Sequence, residues 1–367
     1  MKNSVTIKKG QVLIYRIFDI AEEIDLKKAE TLLKNHRGQD RFKVPRHIDR
    51  ALLVKNPPVK FDYGEEVLLL KDHQLRVETQ AKLRDYGTLT LIYQIQIPEH
   101  FTWAQMIHLA SFLETGEEID AFAERHHQEI KTTIEGALKK PSPWKGFEDY
   151  IIYFIEDYEG AQSISQLIEN ADLTSLLFAE NEVQVSERNK KIVLENITQY
   201  GEKDLVLVEW NAALVIEPGG GREVCDILES AVSHLLELRY FDDLLADLLG
   251  NLYDDIERIQ ENKFIISNKF ERLYKEASRK YIDFSEFIEK VENSFKVVGD
   301  FYLATVYRSA TRKFRLTDWQ NNINRKMTLL AQASTFLQGE VNMLRSHFLE
   351  IIIIVLIAFE VVSALVH

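Results

Sequence analysis

One cysteine, seven prolines and fifteen glycines are few for a chain of 367 residues. The lone thiol, Cys225, excludes an intrachain disulfide and any cysteine-cluster metal site, and it fits a reducing compartment. It opens an apolar helical pattern, which suits a small packed side chain better than a nucleophile. Scarce proline and glycine argue against a turn-rich all-β architecture and for long helices. Positive charge is short as well. The formal net charge is −13, so the surface at large repels phosphate and DNA is not an expected partner. No secretory signal is expected: Arg16 and Asp19 interrupt the apolar stretch at 11–21, whose alternation is that of a strand. Asp19, Glu22, Glu23 and Asp25 are acidic where a mitochondrial transit peptide is not. Nucleophile motifs around serine or cysteine are missing, and no catalytic residue, cofactor or metal ligand is expected.

Apolar residues make up 46% of the chain, enough for a sizeable core. The length favours two domains and a separate anchor: an α+β head over 1–218, a long-helix stalk over 222–347, and a transmembrane helix over 348–366.

Residues 348–366 read FLEIIIIVLIAFEVVSALV, followed by His367. As a helix this run spans about 28 Å, close to the hydrocarbon thickness of a bilayer. Glu350 stands at its start, where it lies at the interface. Glu360 is about 15 Å further along, near the bilayer centre. A central acid costs about 3 kcal/mol and each large apolar residue returns about 0.3–0.6, so the balance favours insertion. Arg345 and His347 flank the run on its N-terminal side, so the body is expected in the cytosol, tail-anchored in the manner of a bacterial inner-membrane protein. Glu360 is expected to bond across helices in a homo-oligomer. An ion pathway through a ring of such helices is the other reading of the same residue.

Along the chain, 11–18 reads as a strand and 25–34 as a helix. Residues 66–70, 75–82 and 88–97 are strand-like, 102–138 is helical with a break at Gly116, and 149–158 is another strand. That order predicts an α+β sandwich of the ferredoxin-like kind. The near-continuous apolar run LVLVEWNAALVI at 205–216 predicts a central strand. Beyond the Glu-Pro-Gly-Gly-Gly-Arg turn at 217–222 the character becomes helical. Leu228, Val232, Leu235, Leu245, Leu249, Leu252, Ile256 and Ile259 recur at helical spacing. A second helix is predicted over 283–313, opened by a capping box at Asp283, and a third from Thr317. The third carries Ile323, Met327, Leu330, Leu337, Val341, Leu344, Phe348 and Ile351 in alternating steps of four and three, a coiled-coil seam running into the membrane segment. That seam faces either the chain's own helices or another subunit.

Three constellations carry chemistry or its absence. A phosphate could sit at the helix following the glycine turn, and a nucleotide- or RNA-handling enzyme would use Gly219, Gly220 and Gly221. No Lys-Ser/Thr follows, however, so a plain strand-to-helix turn is the stronger reading. His126 and His127 are adjacent and diverge by about 100° on a helix, which does not suit a shared metal. Arg308, Arg312, Lys313 and Arg315 form a basic group, extended by Arg325 and Lys326. It pairs with the acidic helix around Asp242, Asp243 and Asp247, or it docks RNA or an acidic protein. Arg239 and Asp242, three apart, are expected to pair with each other.

The stretch ILESAVSHLLELRYFDDLL at 227–245 resembles the signature of the required-for-meiotic-nuclear-division family. Leu236, Glu237, Leu238, Arg239, Tyr240 and Asp242 carry that likeness. So do Trp210 in DLVLVEWNAALVIEP and Trp319 in FRLTDWQNNINRKMTLL, and the ending LEIIIIVLIAFEVV around Glu360 is similar to the family's anchor. The resemblance covers 200–367 and implies a membrane-tethered organiser, in a family with no established enzymatic activity. Mitochondrial members of that family are thought to support organellar translation, so the resemblance adds a ribosome as an expected partner.

Overall fold

The computed structural model describes residues 5–37, 57–71, 73–114, 116–181, 183, 185–261, 267–294 and 300–366. His367 lies outside them, as does most of 37–63, which reads from sequence as loop and short elements; the end of that stretch, from Val59, is strand. The chain divides into two compact units, one of residues 1–240 with 290–317 and one of 241–289 with 318–367. The mixed α+β class is as the element order predicts.

The first unit is built on an eight-stranded sheet. Its strands are β1 (Thr6–Asp19), β3 (Val59–Leu70), β4 (His73–Leu83), β5 (Thr88–Gln96), β6 (Phe101–Thr102), β8 (Phe147–Glu159), β9 (Leu205–Val208) and β10 (Ala212–Ile216). The order is β3-β4-β5-β1-β8-β10-β9, with β6 also on β1. β1 lies at the centre, antiparallel to β5 and β8, while β10 runs parallel to β8. The three-stranded meander β3-β4-β5 enlarges the ferredoxin-like alternation and brings β5 antiparallel onto β1. A separate ribbon pairs β2 (Ala21–Ile24) with β7 (Leu138–Pro141).

Central strands buried on both faces lose the polar alternation of an edge strand, and β1 is continuously buried over its last eight residues. Val12, Ile14 and Phe18 face one core, shared with α1 (Leu26–Arg37), α2 (Trp103–Glu114), α3 (Glu117–Thr133) and α5 (Leu173–Leu177). Leu13, Tyr15 and Ile17 point the other way because successive strand side chains alternate. That second face lies under the first half of α7 (Glu223–Glu261) and under α9 (Phe301–Lys313). There Tyr150 meets the Phe314 ring edge-on at 5.5 Å.

Some boundaries differ from those predicted. The run at 205–216 is a hairpin, not one strand: the polar Glu209, Trp210 and Asn211 turn the chain between β9 and β10, and Glu209 N–H bonds the Ala212 carbonyl. Two short helices, α4 (Ile164–Asn170) and α6 (Glu187–Leu194), stand between β8 and β9 beyond the elements predicted, with N-caps Ser163 and Ser186. Asp283 does not open a helix. It lies inside α8 (Ser267–Ser294), and the cap in this region is Asp300, whose carboxylate accepts from Leu303 N–H at 2.9 Å. α10 (Leu316–Val366) begins one residue before Thr317, after Arg315 turns the chain with φ +53°.

The second unit packs the last part of α7 with α8 and α10. Phe241, Leu245, Leu249 and Leu252 of α7 are buried, as are Phe270, Leu273, Ala277 and Phe284 of α8. The predicted seam of α10 is buried from Ile323 through Met327, Leu330, Leu337 and Val341. Ser278 and Ser334 hydroxyls bond at 2.8 Å, and Arg345 reaches Glu271 at 3.3 Å, so this stretch of the seam faces the chain's own helices. From Phe348 to Ala364 the helix is exposed and, apart from Glu350, Glu360 and Ser363, apolar, and it is long and apolar enough to cross a membrane.

Candidate functional site

The first half of α7 is unusual for a buried helix. Among its apolar residues run Glu229, Ser230, Ser233, His234 and Glu237, in steps of one and three and all buried. They form a polar stripe on one helix face. Charged side chains are almost never fully buried unless paired, so each needs an account.

Glu229 has one. Lys82 and Arg84 reach it from the end of β4, Arg84 Nη2 at 3.0 Å from Glu229 Oε1 and Lys82 Nζ against Oε2. Lys82 also bonds Asp226 Oδ1 at 2.6 Å, and Lys60 on β3 stands 3.7 Å from the same oxygen. Lys60 and Lys82 are direct cross-strand partners. Two like charges at that spacing repel, and Asp226 lies between them. Burial pushes the Glu229 carboxyl up, but Lys82 and Arg84 outweigh it and hold the group at about 2. Burial likewise pushes Lys82 down, and Asp226 and Glu229 more than restore it.

Glu237, two turns further along the same face, has no such partners among the described residues. Its side chain is fully buried and neither carboxylate oxygen has a hydrogen bond. Burial, followed by the charge of Asp19, drives its carboxyl well above the usual range. Asp19 ends β1 on the α7 side of the sheet and is itself 3% exposed. Burial pushes it up to about 7, opposed by the Ser142 hydroxyl and Lys131. The turn beside it is tight. Gly87, at φ +106°, comes so close to Ala21 that a Cβ there would fall 1.6 Å from the Ala21 carbonyl oxygen.

The other residues singled out at 236–242 are placed by this packing. Leu236 and Leu238 are core, and Tyr240 packs on Trp144 at 5.7 Å. Arg239 and Asp242 do not pair with each other. Arg239 Nη1 bonds Glu148 on β8, and Asp242 takes Lys326 of α10 at 2.9 Å. Partners supplied by other elements displace the three-residue pairing that the helix alone offers. Burial raises the Glu148 carboxyl to about 7 against the pull of Arg239.

The basic group is divided. Lys313 is bound to Glu209 at 2.6 Å, while Arg308, Arg312 and Arg315 are exposed. Trp210 is half exposed at the β9–β10 turn, edge-on to Phe314 at 6.3 Å, and Trp319 is half-buried in the first turns of α10. Glu350 and Glu360 are exposed on α10, Glu350 with His347 at 3.5 Å. The glycine turn is lined with carboxylates. Glu217 accepts from Gly219 N–H at 3.1 Å, Glu156 lies against Gly220, and Glu223 and Asp226 occupy the first turn of α7. A phosphate there would meet like charge. His126 bonds the Tyr93 hydroxyl at 3.1 Å and Glu66, while His127 stacks on Phe18 and bonds Glu124 at 3.0 Å. Their rings serve separate partners. Cys225 is buried, and burial pushes its thiol up to about 12, far from the thiolate a nucleophile needs.

Lys60, Lys82, Arg84, Asp226, Glu229 and Asp19 were not read as site residues. The available signal was the polar interruption of ILESAVSHLLELRYF at helical spacing, and lysine and arginine at alternate positions closing a strand.

The sheet and its loops are also what links this chain to known proteins. The family described as uncharacterized protein MJ0711, N-terminal domain, matches residues 9–223, more than half of the chain. The chain belongs to this family. The MJ0711 match runs from β1 to the start of α7, so it contains Asp19, Lys60, Lys82 and Arg84 and stops before Glu229. A relative, uncharacterized protein MJ0711 of Methanocaldococcus jannaschii, is 25% identical over 229 residues, which is 62% of this chain and 69% of the relative. No solved structure matches.

Proposed function

We propose that this chain is a membrane-tethered, self-associating scaffold that presents the sheet unit to a partner. The observation that carries the reading is α10, whose buried seam gives way at Phe348 to an apolar surface exposed on all sides. A surface of that extent on a helix of spanning length is stable in lipid and unstable in water. Arg345 and His347 precede it, which favours a body on the cytosolic side, as in a bacterial inner membrane.

Self-association has its own support. Leu329, Phe336 and Met343 are exposed on α10 at intervals of seven, and Glu350 continues the same series. A second copy entering the bilayer in the same direction offers a matching stripe and places Glu360 opposite Glu360, where two carboxyls satisfy each other. The resemblance to the required-for-meiotic-nuclear-division proteins extends the proposal to a ribosome or RNA partner, for which the exposed Arg308, Arg312 and Arg315 are the docking candidates.

Removal of residues 348–366 tests the tether. The shortened protein is expected to leave the membrane pellet and stay soluble with its helical circular dichroism intact. If it unfolds, the segment is core rather than anchor and the proposal fails.

A further inference from the structure

We propose that Asp19 and Glu237 form a buried proton-binding site, and that the proton held there keeps the first half of α7 seated on the sheet. The argument begins with two glutamates on one helix face. Glu229 meets two cations; Glu237, eight residues on, meets none among the described residues and retains two carboxylate oxygens without a hydrogen bond. Ser233, one turn before it, is fully buried and its hydroxyl is also without a partner.

The groups facing the pair leave it short of positive charge. On α7, His234 is neutral, pushed down to about 4 by burial, and its ring bonds the Tyr307 hydroxyl of α9 at 3.0 Å. Tyr240 is a neutral hydroxyl, pushed up to about 12 by burial. From the β4–β5 turn come Tyr86, also neutral, and Arg84, which is engaged with Glu229. Around Asp19, Glu22 of β2 adds negative charge, although it pairs with Lys140 at 2.7 Å. Lys131 of α3 opposes the rise at Asp19 through its charge, while its ammonium donates to the Ser142 carbonyl at 3.3 Å.

A buried carboxylate without a partner costs several kcal/mol, and the usual escape is to keep its proton. All four carboxylate oxygens of the two residues are buried without a hydrogen bond among the described residues, and a proton on either carboxyl removes a charge from the buried pair. The titration belongs to the pair rather than to either residue. The upward displacement of both groups agrees with this.

The direction of the pH effect follows. Both carboxyls titrate near 4 in the unfolded chain and higher in the folded one. The stability they support is therefore full below about pH 4 and is lost as pH rises, through about 7 for Asp19 and through the raised range of Glu237. In alkali the pair ionises and α7 is pushed from the sheet. The site stands apart from the membrane tether and does not depend on it.

The test uses the full chain in mild detergent. Infrared spectroscopy at about pH 7 is expected to show the carbonyl band of a buried protonated carboxyl, lost in Glu237→Gln. The thermal midpoint of the native protein is expected to fall between about pH 5 and about pH 9, with Glu237→Gln flatter and more stable than the parent at the alkaline end. Asp19→Asn repeats the test should the first variant fail to fold. Absence of the band in the native protein, or pH profiles that run parallel, overturns the proposal. Stabilisation of the native protein alone by sodium, potassium, magnesium or calcium chloride at high pH also overturns it, in favour of a metal cation site.

Discussion

At the residue scale, the decisive contrast is between two buried glutamates separated by two helical turns. Glu229 is neutralised by Lys82 and Arg84. Breaking such a buried network from one side is far costlier than its net contribution, because the partners remain as uncompensated charges. Glu229→Gln is therefore expected to destabilise the protein by about 3–5 kcal/mol, read as a lower urea midpoint by tryptophan fluorescence. A change below about 1 kcal/mol would mean that water reaches Lys82 and Arg84, since exposed pairs contribute no more than that. Cys225 offers a second check. A buried thiol pushed up to about 12 should resist maleimide in the native state and react on denaturation. Rapid native labelling would contradict the packing of α7 on the sheet.

At the element scale, strand alternation and tight turns arrange the site. Lys60, Lys82 and Asp19 all fall on the α7 side because β1, β3 and β4 alternate, while Phe61, Ala81 and Phe18 face the other core. Gly87 holds the β4–β5 turn against the start of β2. Its left-handed backbone and the close Ala21 carbonyl leave no place for a side chain. Gly87→Ala is expected to cost about 3 kcal/mol or more and to lower the unfolding midpoint accordingly, whereas Gly250→Ala, in open space within α7, should raise it slightly. Strands of clear alternation, such as 88–97, were legible in the sequence almost to the residue. The hairpin at 205–216 was not, because the residues around Glu209 and Trp210 interrupt an apolar run too briefly to announce a turn.

At the scale of the whole molecule, one helix changes environment along its length. Up to Val341 the seam of α10 lies against α8; beyond Phe348 its apolar surface is uncovered. Under the proposed scaffold role, light scattering in mild detergent is expected to show a discrete oligomer that falls to monomer in Glu360→Ala. A monomer in both proteins would remove the self-association argument and leave the tether standing alone.

The amino-acid sequence by itself determined the class of fold, the long helices and the segment apolar enough to span a bilayer, because periodicity and hydrophobic length are local properties. Tertiary structure decided the partners. Arg239 chose Glu148 over Asp242, Lys82 and Arg84 found Glu229 from about 145 positions away, and Glu237 was left buried without a hydrogen bond among the described residues. Charge pairing depends on distance in space, and only the folded chain brings β1, β4 and α7 together.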